Sequence, residues 1–506
     1  MNNIQNTIKS YGIDSITLFI SVLSVLLTAG FILWDSNLAK YLIDHTYSLI
    51  VDIFGSSYLV LTIFSFIFLI FISISNYGNY ILGGKNTYPE FSYFSWIGML
   101  FCSGIGGGII YWSGVEWAYY VEIPQFNIEP YSDDSYSLAT AYGLFHWGIS
   151  AWSIYGIPAI ALSIAFYKYD LTSLRLSSSL KGLGLKNIES SIFGRFIDLI
   201  FILATVGAAG GTIGSYIPML SSGFTSLFNI NNGLHVDIGV IILCVGLFGF
   251  SVYKGLDKGI KNLSNFNLIL ALSFIFLIIL STDFIELLKS SFLGIKFSVI
   301  YFWDMSTLGI SQPSDFAKEW TIFYWAWWVA FGPLVGLFIA RISKGRSIRQ
   351  VIFGMLFFGT LGTWLFYLVL GGYSMNGEIN NELNVIQSMK ELGHAETAIS
   401  VIRSLPINTF MLLIFCVITI VFITTSYDSM SYVISSHVLK TKGNHKEPHK
   451  NLRLSWAIIL GILPAVLVLY SDHSVALDLI LITSLPLLFI YPLMAISIIK
   501  ELTQGD

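Results

Sequence analysis

The sequence predicts an all-α polytopic membrane protein of twelve transmembrane helices, and three observations carry that prediction. Of 506 residues 55% are hydrophobic and only 11% charged, with a mean hydropathy of +0.73, whereas soluble domains carry ~25% charged residues. Apolar stretches recur at bilayer length, which takes ~20 helical residues each. The basic residues also collect in alternate connections, as orientation in a membrane requires.

In order, the spans are Ile16–Trp34, Tyr58–Ile74, Tyr93–Tyr120, Ser137–Phe166, Phe196–Phe224, Val236–Phe250, Leu263–Leu280, Trp320–Ile342, Ile348–Tyr373, Pro406–Ser436, Leu454–Tyr470 and Val475–Ile499. Val236–Phe250 is short for a span. With the N-terminus inside, the cytoplasmic set includes Lys9, Lys186, Lys254, Lys258, Lys261, Arg341, Lys440, Lys442, Lys446 and Lys500. Only Lys40, Lys289, Lys296, Lys318, Lys390 and Arg403 then fall outside, and the loop from Glu122 to Asp134 has acids and no base. Both termini are therefore expected in the cytoplasm.

A net charge of −4 and the absence of a basic cluster give no reason to expect nucleic acid. Cys102, Cys244 and Cys416 all fall in apolar spans, so they read as small buried hydrophobes rather than disulfides or a metal cluster. The first apolar stretch is too long for a cleaved signal and reads as the first helix. Short ends, about ten residues before that helix and Lys500–Asp506 after the last, predict no regulatory domain.

Two helices lead, and the other ten divide into two sets of five: a leading segment 1–90, a first repeat 91–282, a connection 283–317, a second repeat 318–500 and a tail 501–506. The opening span of one set holds Gly104-Ile105-Gly106-Gly107-Gly108, and that of the other holds Gly332-Pro333. Interruptions at matching places in two halves point to a transporter binding site, because backbone freed in lipid must line a protein cavity. Close helix packing is the alternative reading of the glycines. Asp283–Met305 is apolar but punctuated by Glu286, Lys289 and Lys296, which suits a helix along the membrane surface. The more polar Asn384–Leu405 reads as a short external helix over the entrance.

The most specific stretch is WTIFYWAWWVAFGPLVGLFIARIS, Trp320 to Ser343. At ~100° per residue, Trp320, Tyr324, Trp327 and Phe331 share one helix face. A second aromatic group, Trp147, Trp152 and Tyr155, sits in another span. Ring faces attract cations, so the two groups can box a permanently charged onium head. Glu116, His146 and Asp428 are the ionisable groups in or near the spans, where such residues are usually functional. Glu116 is expected near the outer end of the third span, and His146 reads as a satisfied neutral histidine ahead of a proton carrier.

At these residues the chain resembles the betaine/choline/carnitine transporter family, through WTIFYWAWWVAFGPLVGLFIARISKGRSIRQ, FCSGIGGGIIYWSGVEWAYY, FHWGISAWSIY and TTSYDSMSYVISS. The resemblance implies a LeuT-like fold of two inverted five-helix repeats, a homotrimer and a bacterial plasma membrane. It implies a substrate box of Trp147, Trp152, Tyr155, Phe323, Trp327, Trp328 and Phe331, the last standing where relatives often carry tryptophan. Gly104, Gly106 and Gly108 agree with members that carry zwitterionic betaines, whereas choline carriers tend to hold an acid at the place of Gly108.

Family sodium ligands correspond to Thr425 and Ser426 with carbonyls at Cys102, Ile105 and Phe422. A second family site is damaged, its positions holding Thr205, Ala209 and Leu334. Na⁺ is expected as the coupling ion, since Leu263–Leu272 lacks the fixed positive side chain of sodium-independent exchangers. The implied function is Na⁺-coupled symport of a small zwitterionic quaternary-ammonium or sulfonium compound, of the glycine betaine or dimethylsulfoniopropionate type. Sodium-independent carnitine or betaine exchange and choline uptake are the alternatives. No nucleophile-base pair, metal cluster or nucleotide loop suggests an enzyme.

Overall fold

The computed structural model describes residues 12–171, 175–185, 187–254, 257–439, 448–469 and 473–504, with the side chains of 252–264 and 473–474 left aside. The cytoplasmic lysines expected at Lys9, Lys186, Lys440, Lys442 and Lys446 lie outside these residues, and so do the last two residues of the tail. The helices in order are α1 (Ser15–Trp34), α2 (Ser36–Ile74), α3 (Tyr93–Gly104), α4 (Gly107–Trp112), α5 (Trp117–Glu122), α6 (Asp133–His146), α7 (Ile149–Lys168), α8 (Ile192–Phe228), α9 (Leu234–Lys254) and α10 (Asp257–Leu280). There follow α11 (Phe284–Ile300), α12 (Phe302–Thr307), α13 (Ile322–Ile342), α14 (Ile348–Gly354), α15 (Thr360–Phe366), α16 (Gly372–Ile379), α17 (Val385–Arg403), α18 (Asn408–His437), α19 (Lys450–Leu469) and α20 (His473–Thr503).

Among the described residues, ten helices are long and apolar enough to cross a membrane, and an eleventh arises if Asn265–Leu280 and Phe284–Ile300, bent by 111°, count as one. That bend turns α11 away from the span before it, as a surface helix requires. The third expected span fails the length test because it is cut into α3, α4 and α5, with Ile105 (φ −96°, ψ 99°) and Gly106 (φ −129°, ψ 176°) extended between the first two. The short stretch at Val236–Phe250 is a full helix, α9.

Helix starts follow local chemistry. Asp35, Ser92, Ser132 and Ser191 each accept a backbone N–H of the first turn, and Ser347 with Gln350 forms a capping box. Between α6 and α7 the chain breaks at Trp147 and Gly148. A Cβ on Gly148 would lie 2.2 Å from the Leu144 carbonyl. Lipid offers nothing to the carbonyls such a break frees, and side chains of the ninth span satisfy them: Thr363 Oγ1 donates to Trp147 O at 2.6 Å and Trp364 Nε1 to Leu144 O at 2.9 Å.

The expected second interruption is not a break: α13 runs through Pro333 without a gap. Proline removes the N–H that would bond the carbonyl four residues earlier, here Val329. That carbonyl instead accepts the Tyr491 hydroxyl at 3.2 Å. Gly332 makes room for the phenol, since a Cβ there would sit 1.8 Å from its oxygen. The Gly-Pro pair therefore docks α20, and the two halves are not interrupted alike. α7 packs along α13, closely enough that a Cβ on Gly336 would stand 2.9 Å from the backbone of Pro158 and Ala159. The cage helices are held together by this seam.

Candidate functional site

The α6–α7 break projects Trp147 against α13, where its ring meets Trp328 at 5.5 Å and Trp327 at 6.2 Å, both edge-on. Tyr155, two turns down α7, lies 4.7 Å from Trp328. Phe323 flanks Trp327 at 5.5 Å. Trp147, Trp327 and Trp328 are each 7% exposed and Tyr155 8%, so each keeps a small part of its surface open deep in the bundle. Edge-to-face contact is the arrangement aromatic quadrupoles prefer, and the ring faces left uncovered are those a cation can meet.

Trp152 meets Tyr155 edge-on at 5.6 Å and lies behind it. It is 0% exposed, and a Cβ on Gly359 would lie 2.5 Å from its ring while one on Gly104 would lie 3.2 Å away, so it wedges α7 against α3 and the ninth span. Trp320 is higher, beside Tyr119 at 4.8 Å and Tyr120 at 5.0 Å, so only part of the expected aromatic wall belongs to the cage. Phe331 is half-buried below it. At the α3–α4 break, Gly106 faces open space, whereas a Cβ on Gly108 would lie 2.9 Å from Trp147 and 3.1 Å from the Tyr216 hydroxyl. An acidic side chain at Gly108 would therefore displace a cage ring.

Glu116, singled out from sequence near the end of the third span, is 0% exposed, and the sequence did not reveal its partners. Tyr120 donates to its Oε1 at 2.5 Å, and Tyr324 (2.7 Å), Tyr367 and Trp147 Nε1 (3.3 Å) donate to Oε2. One donor on Oε1 and three on Oε2 make this carboxyl group the shared acceptor of the cluster. With the Tyr120 proton committed to Glu116, that hydroxyl accepts from His146 Nδ1 at 3.0 Å, and His146 Nε2 accepts from Thr321 Oγ1 at 3.1 Å. His146 is thus the satisfied neutral histidine expected from sequence.

α17 packs against the broken span through His394. His394 stacks on Tyr111 at 4.0 Å, meets Trp112 edge-on at 4.7 Å, and donates from Nε2 to Tyr111 O at 2.8 Å. Burial pushes its pKa down to about 4, opposed in part by that hydrogen bond. A helix is present within Asn384–Leu405, and it touches the broken span.

Of the expected sodium ligands, Thr425 Oγ1 donates to its own helix, to Val421 O at 2.9 Å and Phe422 O at 3.2 Å. Thr425, Ser426, Phe422 and Cys102 are all half-buried, while Ile105 is buried. α18 touches α4 just past the break. The expected ligands are neutral oxygens only, the set a hard cation takes, though Phe422 O already accepts from Thr425 Oγ1 beside its helical bond. In the second set, Thr205 Oγ1 bonds Phe201 O at 2.8 Å and Ala209 O accepts the Tyr427 hydroxyl at 2.7 Å. Asp428 is neutralised by Arg453 at 2.9 Å and accepts from Ser251 at 3.1 Å.

An all-helical membrane bundle with a broken span and a buried aromatic cage defines the class of secondary transporters. The chain belongs to the betaine/carnitine/choline family of transporters (BCCT), whose family model matches residues 16–506. It is a membrane transporter, not an enzyme. It is similar to the uncharacterized transporter YeaV of Escherichia coli K12, 31% identical over 86% of this chain and 90% of that protein. A carnitine transporter of Acinetobacter baumannii is also 31% identical, over 90% of this chain and 82% of that protein.

Proposed function

We propose that the chain imports a small zwitterion with a quaternary ammonium or tertiary sulfonium head, of the glycine betaine or dimethylsulfoniopropionate type, coupled to Na⁺. The observation that carries this reading is the convergence of Trp147, Tyr155, Trp327 and Trp328 on one space beside the α3–α4 break. Ring faces take the onium, which lacks N–H donors and needs none. The backbone amides that open α4 face the substrate's carboxylate, with Gly106 leaving the approach clear. Glu116 holds the Trp147 edge so that its face stays turned inward. Thr425 and Ser426 with the carbonyls of Cys102, Ile105 and Phe422 hold Na⁺, which supplies a positive charge that stabilises the loaded state and so links uptake to the sodium gradient.

Carnitine belongs to the same class of zwitterion, and the name of the Acinetobacter baumannii relative favours it as the second reading. In either case the chain sits in a bacterial inner membrane with both termini cytoplasmic. The exposed face of α11, with Ile285, Phe292 and Val299, is where homotrimer partners meet. The test is uptake of labelled glycine betaine, dimethylsulfoniopropionate, carnitine and choline into proteoliposomes, with and without a sodium gradient. Trp147→Ala and Trp327→Ala each lower uptake at least tenfold, in line with a cation–π contact of ~1–2 kcal/mol. Intact uptake in both variants would overturn the cage.

A further inference from the structure

Tyr216, in the second half of α8, meets the broken third span at its glycines, and α8 packs on both α4 and α13. The phenol ring lies 5.7 Å from that of Tyr111. The chain makes room for it twice: a Cβ on Gly107 would stand 2.7 Å from the ring edge, and one on Gly108 would stand 3.1 Å from the hydroxyl. The same Gly108 point lies 2.9 Å from the Trp147 ring, so the hydroxyl and the cage wall border one spot. A Cβ on Gly106 would meet nothing within 4 Å, which leaves space open beside the break.

That hydroxyl has no partner. Tyr216 is 2% exposed, and its oxygen is buried without a hydrogen bond among the described residues. Other buried phenols are satisfied: Tyr58 by Ser484, Tyr427 by the Ala209 carbonyl, Tyr491 by the Val329 carbonyl, and Tyr120, Tyr324 and Tyr367 by Glu116. Tyr142 shares the unpartnered state, but it sits among the rings of Phe126, Phe316 and Tyr120 and not at a chain break. Burying a hydroxyl with nothing to accept its proton costs ~1–3 kcal/mol, and phenylalanine would fill the same space without that cost. Packing therefore explains the ring of Tyr216 and not its oxygen.

We propose that Tyr216 is a substrate-binding residue whose hydroxyl donates to the carboxylate of the zwitterion while the onium rests on Trp147, so that it selects onium compounds bearing a carboxylate over bare onium cations. The proposal rests on the zwitterion reading above. In glycine betaine a single carbon joins the two charged groups, which suits a donor placed beside the cage wall. A phenol offers its proton without the positive charge that lysine or arginine would set against the nearby onium. A bond to a charged acceptor is also about twice as strong as one to a neutral group. A cation without the carboxylate leaves the buried donor unpaired, and a site built to hydrogen-bond its substrate rejects such an analogue.

The test is equilibrium binding of labelled glycine betaine to the full chain in phosphatidylcholine nanodiscs, and its displacement by tetramethylammonium, which has the onium head and no acceptor. Tyr216→Phe weakens glycine betaine binding about tenfold or more, the loss of one hydrogen bond to a charged group, and leaves tetramethylammonium within about twofold of wild type. The melting temperature of the ligand-free Tyr216→Phe protein does not fall, because the hydroxyl removed had no partner. Trp327→Ala weakens both compounds. Unchanged glycine betaine affinity in Tyr216→Phe overturns the assignment and leaves the cage standing. Equal weakening of both compounds, or a lowered ligand-free melting temperature, gives the hydroxyl a structural role and also overturns it. Unchanged binding of both compounds in Trp327→Ala overturns the cage reading instead.

Discussion

Replacing Glu116 by glutamine removes one charge and leaves the shape nearly unchanged, so it isolates what the carboxylate does. Its oxygens accept from Tyr120, Tyr324, Tyr367 and Trp147. A hydrogen bond to a charged group is worth ~1.5–3 kcal/mol against ~1 for a neutral one. Over four donors the loss comes to ~2–8 kcal/mol, and glutamine also turns an N–H₂ toward one of them. Trp147 and Tyr324 belong to the cage wall from α6–α7 and α13, so the deficit falls on the geometry of the cage. Glu116→Gln is expected to lower uptake efficiency on the order of a hundredfold, in protein that still elutes as a single species from gel filtration. The assay is initial uptake into proteoliposomes at varied substrate concentration. Wild-type kinetics in Glu116→Gln would refute the carboxylate as organiser of the cage.

Joint Thr425→Ala and Ser426→Ala substitution abolishes the stimulation of uptake by sodium; unchanged sodium dependence removes the ion from these hydroxyls. For His394, the closed state holds a pKa depressed from 6.5 to about 4, so its protonation opposes closure. Closure is fully stabilised above about 6.5 and weakens as pH falls toward 4. The protection factors of α17 amides, corrected for the intrinsic pH dependence of exchange, are therefore expected to fall over that window in wild type and to stay flat in His394→Phe. Arg175, 2% exposed, pairs with Asp198 at 3.1 Å and donates to the carbonyls of His437 and Glu189. Arg175→Ala leaves Asp198 buried without that charge and should cost ~3–5 kcal/mol, read as a clear drop in melting temperature; an unchanged value would show the cluster to be dispensable.

The class of the protein was legible in its composition, because apolar stretches of bilayer length have few soluble readings. The cage was legible in part, since tryptophans clustered beside a glycine run carry their own signal. Trp327 could be set against Trp147 from the residues themselves, whereas Trp328 entered only through the family resemblance. The meaning of Gly332-Pro333 was not legible: whether proline breaks a helix depends on what takes the freed carbonyl, and Tyr491 stands far along the chain.

The sequence by itself determined the membrane setting, the broken third span at its extended Ile105-Gly106 and the aromatic residues available to a cation, since these follow from local composition and backbone preference. Tertiary structure alone decided that Trp152 wedges helices behind Tyr155, that Glu116 is fully buried among its donors, and that His394 stacks on the broken span. Each of these depends on partners brought from distant elements. A buried carboxylate in lipid is tolerable only when its donors arrive together, and no local stretch of chain can supply them.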